Sequence, residues 1–166
     1  MSDLGWLLED VARSPDGPQV AAFFDFDGTL IDGYSARAFF SERLKNRDIG
    51  FRELLRTVVE SANVERRGAD ITRLMNTAVK ALAGRTQADI DAAGDDLYTK
   101  KIADMVFPGA RALVSAHVDK GHTIVIASSA TPPQIVPAAR ALRITNVLAT
   151  KFEVDDDDVH TGRVAG

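Results

Sequence analysis

The ten residues from Ala21 to Leu30, Ala-Ala-Phe-Phe-Asp-Phe-Asp-Gly-Thr-Leu, constrain the fold more than any other stretch of the chain. A short apolar run bounded by Pro18 and Gly28 predicts a buried strand of a parallel sheet, a setting in which both strand faces are covered. The run ends in two carboxylates spaced i, i+2, so Asp25 and Asp27 leave the strand on the same side. Gly28 permits a tight turn that brings backbone N–H groups close to an anion, and Thr29 adds a hydroxyl beside them. Open α/β sheets bind ligands at the carboxyl ends of their strands, which makes this turn the candidate site.

Two neighbouring carboxylates repel each other unless a cation neutralises them, and a hard ion such as Mg²⁺ prefers oxygen ligands of this kind. Asp25 is then placed to attack phosphorus, and Asp27 to protonate the leaving oxygen and later deprotonate a water. An isolated Asp-Gly pair would mean only a turn. A calcium loop needs a glutamate at its twelfth position, and counting from Asp25 that position is Ala36.

A second element of the same kind follows downstream. Thr123-Ile124-Val125-Ile126-Ala127 is an apolar, β-branched strand that ends in Ser128-Ser129, before Thr131-Pro132 opens a helix. A hydroxyl there, next to the N–H groups of a helix start, suits a phosphate oxygen, with Ser128 preferred and Ser129 the alternative. Taken alone, such a serine would equally serve as a helix cap. Asp-x-Asp-x-Thr after one apolar strand and Ser after another resemble motifs one and two of the haloacid dehalogenase-like hydrolases. The resemblance implies a Rossmann-like, three-layer α/β core with a parallel sheet, and a phosphoaspartate formed on Asp25. It also implies Mg²⁺ held by the Asp25 side chain and the Asp27 backbone carbonyl, with Gly28, Thr29 and Ser128 around the phosphate.

Between the two strands, about 34–106 is helical in pattern. Ala36, Phe39, Phe40 and Leu44 mark a first helix, and Phe51, Leu54, Leu55, Val58, Val59 and Ala62 a second. Ile71, Leu74, Met75, Ala78, Val79 and Leu82 mark a third, and Thr86-Gln87-Ala88-Asp89 is a capping box opening a fourth through Ile90, Ala93 and Leu97. In the resembled family such an insertion is a cap, similar to that of phosphoserine phosphatase-like members, which closes over the phosphate and selects the leaving group. Tyr34 stands nine residues after Asp25, where those members carry a glutamate, which argues against phosphoserine itself. The predicted organisation is a helix and linker over 1–18, a core from 19–33 and 107–166, and the cap over 34–106.

The flanking pattern is simpler. Leu4, Leu7, Leu8 and Val11 predict an amphipathic helix that Asp3 can cap, with Trp6 as a packing residue. Pro108-Gly109 opens a helix that Lys120-Gly121 ends, and Pro137 should kink the following helix or delay its start. Asn146 to Ala149 predicts a third strand, and 152–154 with 159–164 a hairpin around Asp155-Asp156-Asp157-Asp158. Consecutive carboxylates in a turn cannot all converge on one ion, so this run is expected to be solvated. His117, His122 and His160 show no ligand spacing and are expected to be surface or packing residues.

The 166 residues, 45 % of them hydrophobic, suffice for one core with a small insertion. A net charge of -4 gives no reason to expect nucleic acid as a partner, and a small phosphorylated substrate is the expected ligand. The chain has no cysteine, which excludes disulfides and thiolate metal sites. No apolar run near the start is long enough for a signal sequence or membrane span, so a cytoplasmic location is expected.

The resembled family also needs a phosphate-holding lysine and a second acidic pair. Lys151 precedes the hairpin, and Lys100 and Lys101 lie in the cap, so none matches the lysine's place. The chain is therefore expected to be the N-terminal portion of a longer polypeptide, with the C-terminal part of the core missing. It also resembles the N-terminal part of actinobacterial proteins that join a phosphatase-like domain to a glycerophospholipid acyltransferase. That resemblance implies an acyltransferase domain and membrane-associated phospholipid biosynthesis for the longer protein. A phosphate-binding module without turnover is the alternative from another class.

Overall fold

Residues 3–39, 79–80 and 82–165 are described by the computed structural model. The first three predicted cap helices fall almost wholly outside these residues. Three parallel strands form the central sheet in the order β1-β2-β3, with β1 at Ala21–Phe24, β2 at Thr123–Ala127 and β3 at Asn146–Leu148. Their register aligns Phe24 with Ile126 and Ile126 with Val147. The α/β class and the parallel sheet predicted from sequence are thus both present.

The crossovers explain where the core lies. α3 (Pro108–Asp119) precedes β2, and α4 (Pro132–Ala141) connects β2 to β3. Both connections step across the sheet in one direction, and right-handed crossovers of that kind place their helices on one face. Ala22, Phe24, Ile124, Ile126 and Val147 accordingly share a hydrophobic cluster with Val114 of α3 and Ile135, Ala138 and Ala139 of α4. The opposite face is bare at its edges, with Phe23 67 % and Leu148 61 % exposed. The expectation that β1 is covered on both faces therefore fails for Phe23, because its strand is an edge strand and no described helix crosses that side.

α1 (Asp3–Arg13) packs on α3, where the missing side chain of Gly109 leaves room for Leu4. Asp3 lies inside the first turn of α1. Trp6 is 58 % exposed, so it does not act as the predicted packing residue; it projects from the solvent side of this short helix.

α2 (Gln87–Leu97) opens as its sequence predicts, with the Thr86 hydroxyl accepting the Asp89 N–H at 3.1 Å. It runs on through a wider turn at Tyr98–Ile102 into Ala103–Met105. Leu97 and Ile102 join the core cluster beneath α4. The contact between α2 and α4 depends on a glycine and a proline together. Pro137 lies inside α4 and has no N–H for the carbonyl of Pro133, one turn earlier. Gly94 of α2 packs directly on that carbonyl, and a side chain there would meet the Pro133 oxygen at 2.6 Å. Pro137 thus neither delays the helix nor ends it, and the carbonyl it frees faces a close Cα neighbour.

The predicted hairpin forms from β4 (Phe152–Val154) and β5 (His160–Val164), paired antiparallel. Asp155 folds the turn onto itself, its Oδ1 accepting the N–H groups of Asp157 at 3.0 Å and Val159 at 2.9 Å. All four aspartates of the run are exposed, and no cluster of three acidic or histidine ligands occurs among the described residues. β5 also pairs with the segment before α2, where His160 donates its N–H to Arg85 and accepts that of Gly84. His160 itself is 3 % exposed, and neither ring nitrogen has a hydrogen-bond partner among the described residues.

Candidate functional site

β1 ends at Phe24, and the next seven residues coil tightly. The carbonyl of Phe26 accepts the N–H groups of Leu30 at 3.0 Å and Ile31 at 3.2 Å, which turns the chain back upon itself. Burial of the side chains drives the coil, since Phe26, Leu30 and Ile31 are fully enclosed. Asp25 is left exposed, Asp27 half-buried, and Gly28 and Thr29 exposed. The alternation of apolar-in and acidic-out from Phe24 to Asp27 is that of a continued strand, and it sets both carboxylates away from the core.

Gly28 adopts φ +74°, a left-handed conformation that costs a side-chain-bearing residue strain, while no atom crowds the place its Cβ would take. Its N–H bonds to the Gly33 carbonyl at 3.0 Å and closes the loop. Beyond the loop, Ile31 pairs with Val106, Asp32 donates to the Met105 carbonyl at 2.8 Å and Phe107 to the Leu30 carbonyl at 3.0 Å. The two chain segments that bound the inserted region are therefore stitched together directly beneath the carboxylates.

The carboxylates differ in surroundings. Asp25 Oδ1 accepts the N–H of Phe26 at 2.7 Å, a contact within its own turn. Asp27 Oδ1 accepts the N–H of Ser35 at 2.7 Å, the first residue of a helical turn over 35–39. Tyr34, where the resembled family has a glutamate, is 62 % exposed.

Ser128 arrives from the neighbouring strand. The β1–β2 pairing ends at Phe24 and Ile126, one residue before Asp25 on one strand and two before Ser128 on its neighbour. Ser128 donates its N–H to the Leu148 carbonyl at 3.0 Å, and its Oγ accepts the N–H of Ala130 at 3.3 Å. It does not cap α4. That role belongs to Thr131, which forms a capping box with Gln134, so the bland reading of Ser128 loses its main support. Ser129 is exposed, and its carbonyl accepts the Thr150 hydroxyl at 3.1 Å.

An open hollow of about 450 Å³ lies at the carboxyl ends of β2 and β3, lined by Ser128, Leu148, Thr150 and Lys151 among others. Lys151 therefore shares a cavity with Ser128, which its position before a hairpin did not reveal. Lys100 is paired with Asp96 at 2.6 Å. The structure thus gathers Asp25, Asp27, Gly28, Thr29, Ser128 and Ser129 at the carboxyl edge of one sheet.

Comparison with known proteins bears on the whole chain. A family model described as haloacid dehalogenase-like hydrolase matches residues 22–166. The chain is 32 % identical over 151 residues to the phosphoserine phosphatase SerB1 of Mycobacterium tuberculosis, covering 88 % of this chain and 48 % of that protein. Among solved structures, a protein of unknown function from Bordetella pertussis superposes with a TM-score of 0.74 at 22 % identity, covering 92 % of this chain and 68 % of the other. A phosphoserine phosphatase solved as a phospho-aspartyl intermediate analogue superposes with a TM-score of 0.54 at 18 % identity, covering 92 % of this chain and 64 % of the other. The chain spans about half the length of the curated relatives it matches.

Proposed function

The chain belongs to the haloacid dehalogenase-like hydrolase family, and from that premise we propose that it carries a Mg²⁺-dependent phosphomonoester hydrolase site acting through an aspartyl phosphate on Asp25. The reading is supported by two carboxylates that follow the carboxyl end of β1 and a serine that follows the carboxyl end of the neighbouring β2. Asp25 attacks phosphorus, and an Asp25 oxygen–phosphorus bond forms as the ester oxygen–phosphorus bond breaks. Asp27 gives its proton to the departing alcohol oxygen. A water then attacks the phosphorus, returns a proton to Asp27, and releases inorganic phosphate from Asp25. The hydroxyls of Thr29 and Ser128 bind the phosphoryl oxygens beside the tight turn that Gly28 permits, with Ser129 adjacent.

The donor set here is hard oxygen, and the Asp25 carboxylate with the Asp27 backbone carbonyl would hold Mg²⁺ alongside several waters, leaving the Asp27 carboxyl for proton transfer. Bound there, it would offset the charge of the carboxylates and of the phosphoryl oxygens. The substrate is a small phosphorylated molecule chosen by residues of the inserted region.

The same reading includes a longer polypeptide. The bare sheet face at Phe23 and Leu148 is the kind of apolar surface that further α/β units would cover, and the curated relatives are about twice as long. Such units would bring a lysine and a second acidic pair to the carboxyl edge.

Mg²⁺-dependent phosphate release from an aryl phosphate, measured on this chain and on a version extended past Gly166, tests the proposal. Turnover that Asp25→Asn removes, together with loss of the phosphoenzyme, supports it, whereas phosphoenzyme retained in Asp25→Asn refutes it. Phosphate binding without turnover in both forms would favour a binding module.

A further inference from the structure

Asp27 can serve as acid and base only if its carboxylate is held at a fixed distance from the leaving oxygen, and among the described residues the Ser35 N–H, at 2.7 Å, holds it. A backbone N–H is as well placed as its residue. Ser35 is fully buried, and its Oγ accepts a hydrogen bond from Gln134 Nε2 at 3.2 Å, across 99 residues of sequence.

Gln134 is itself buried, with 5 % exposure. Its Oε1 accepts from the Thr131 N–H at 2.8 Å and from the Thr131 hydroxyl at 2.6 Å. A backbone N–H can only donate, so the oxygen of the amide must face Thr131 and the nitrogen must face Ser35. Capping α4 uses only the oxygen half of Gln134, and a glutamate would cap as well. The nitrogen half has no capping role, yet it crosses to the loop that holds Asp27. A buried network of this kind favours one geometry, since removing a member leaves a polar group in the core short of a partner.

We propose that Gln134 and Ser35 are positioning residues that lock the acid/base Asp27 in register with the Ser128 loop, so that proton donor and phosphate-binding hydroxyl move as one unit. The inference rests on the hydrolase reading above. It assigns Gln134 a task beyond its cap and makes Ser35 the joint between the phosphate site and the inserted region.

The test uses Ser35→Ala, which keeps the α4 cap and removes the hydroxyl, and Gln134→Leu, which removes the amide, beside Asp25→Asn and Asp27→Asn. Each is assayed in the polypeptide extended past Gly166, on an alkyl phosphate and on an activated aryl phosphate. A general acid contributes about 10²–10⁴-fold when the leaving oxygen is basic and little when it departs unaided. The kcat/KM reports steps through leaving-group departure, so a misplaced Asp27 lowers it selectively for the alkyl ester. The expected result is a loss of about tenfold or more on the alkyl ester and under about threefold on the aryl ester, with Asp27→Asn showing the same pattern more strongly. Equal losses on both esters, or none, overturn the inference while the Asp27→Asn pattern leaves the hydrolase reading standing. A parent protein silent on both esters, or an active Asp25→Asn, overturns that reading and this inference with it.

Discussion

The two ends of the parallel sheet carry similar residue types and use them in opposite ways. At the carboxyl end, Asp25 and Thr29 are exposed on a loop closed by glycine, and Ser129 is exposed after β2. At the amino end, titratable groups are spent on one another. His122, 7 % exposed, meets the Pro15 carbonyl through Nε2 at 2.9 Å, and its Nδ1 faces His117 Nδ1 at 2.8 Å. A carbonyl only accepts, so His122 carries its proton on Nε2 and, when neutral, accepts at Nδ1 the proton of His117. Asp16 pairs with Lys120, whose hydrogen bond and charge hold the Asp16 carboxyl below the usual carboxylate range. Gly17 donates to the Lys120 carbonyl at 2.8 Å and Thr123 to the Pro18 carbonyl at 2.9 Å. This clasp ties the linker after α1 to the turn before β2. Polar groups that find partners stabilise the fold, whereas those left open at a strand end are available to a ligand.

If that contrast holds, substitutions at the two ends should move different observables. The largest effect is expected from Asp25→Asn, which should lower phosphate release by roughly 10⁴-fold while leaving the melting temperature unchanged. A large fall in stability would show that the carboxyl end is structural too. Next comes His122→Ala, which strands the Pro15 carbonyl and opens a cavity. It should cost about 2–3 kcal/mol in denaturant unfolding with turnover unaltered. Loss of activity in the folded variant would break the separation between the ends.

A matched glycine pair sharpens the comparison. Gly28 at the carboxyl end has φ +74° and Gly121 at the amino end φ +69°, and neither has an atom closer than 3.8 Å to an added Cβ. Alanine at either position should cost about 1–2 kcal/mol of stability through backbone strain alone. Only Gly28→Ala should also raise KM for the phosphate ester, because strain in that loop displaces the neighbouring Asp27 carboxylate and Thr29 hydroxyl.

The smallest effect expected is a pH slope. Burial, and then the charge of His122, lower the His117 pKa from its ordinary value of 6.5. A group that binds protons less well when folded contributes stability above its unfolded value, and that contribution is lost as pH falls below about 6.5. The melting temperature should therefore drop between about pH 7 and pH 5, and His117→Phe, keeping the edge contact with Phe24, should flatten the slope. An unchanged slope would place the acid sensitivity elsewhere.

His160 stands apart from both ends. Among the described residues its buried ring has no hydrogen-bond partner, and it meets the Phe152 ring edge-on at 5.7 Å. Replacing a buried unpartnered polar group by an apolar one of similar shape relieves desolvation, so a neutral or small stabilising effect is expected for His160→Phe by thermal melting.

The elements legible in sequence were those specified locally. The apolar run of β2, the start of α4 at Thr131-Pro132, the Thr86 cap of α2 and the turn of four aspartates are each set by residues within a few positions of one another. The loop from Asp25 to Thr29 was legible for the same reason, since carboxylates, glycine and hydroxyl lie within five residues. Trp6 and Phe23 misled because hydrophobicity reports a tendency to be buried and not what is available to cover a side chain. The histidines were silent in sequence because imidazole suits both surfaces and interiors, and only packing decides between them.

By itself the sequence determined the strand-and-turn chemistry of the site, because backbone turn and side-chain charge act over a few bonds. Tertiary structure alone decided that Gln134 meets Ser35, that His122 meets Pro15, that Lys151 shares a hollow with Ser128, and which face of the sheet is covered. Those partners are brought together by burial of apolar area, a force without direction or sequence address, and no local pattern names them in advance.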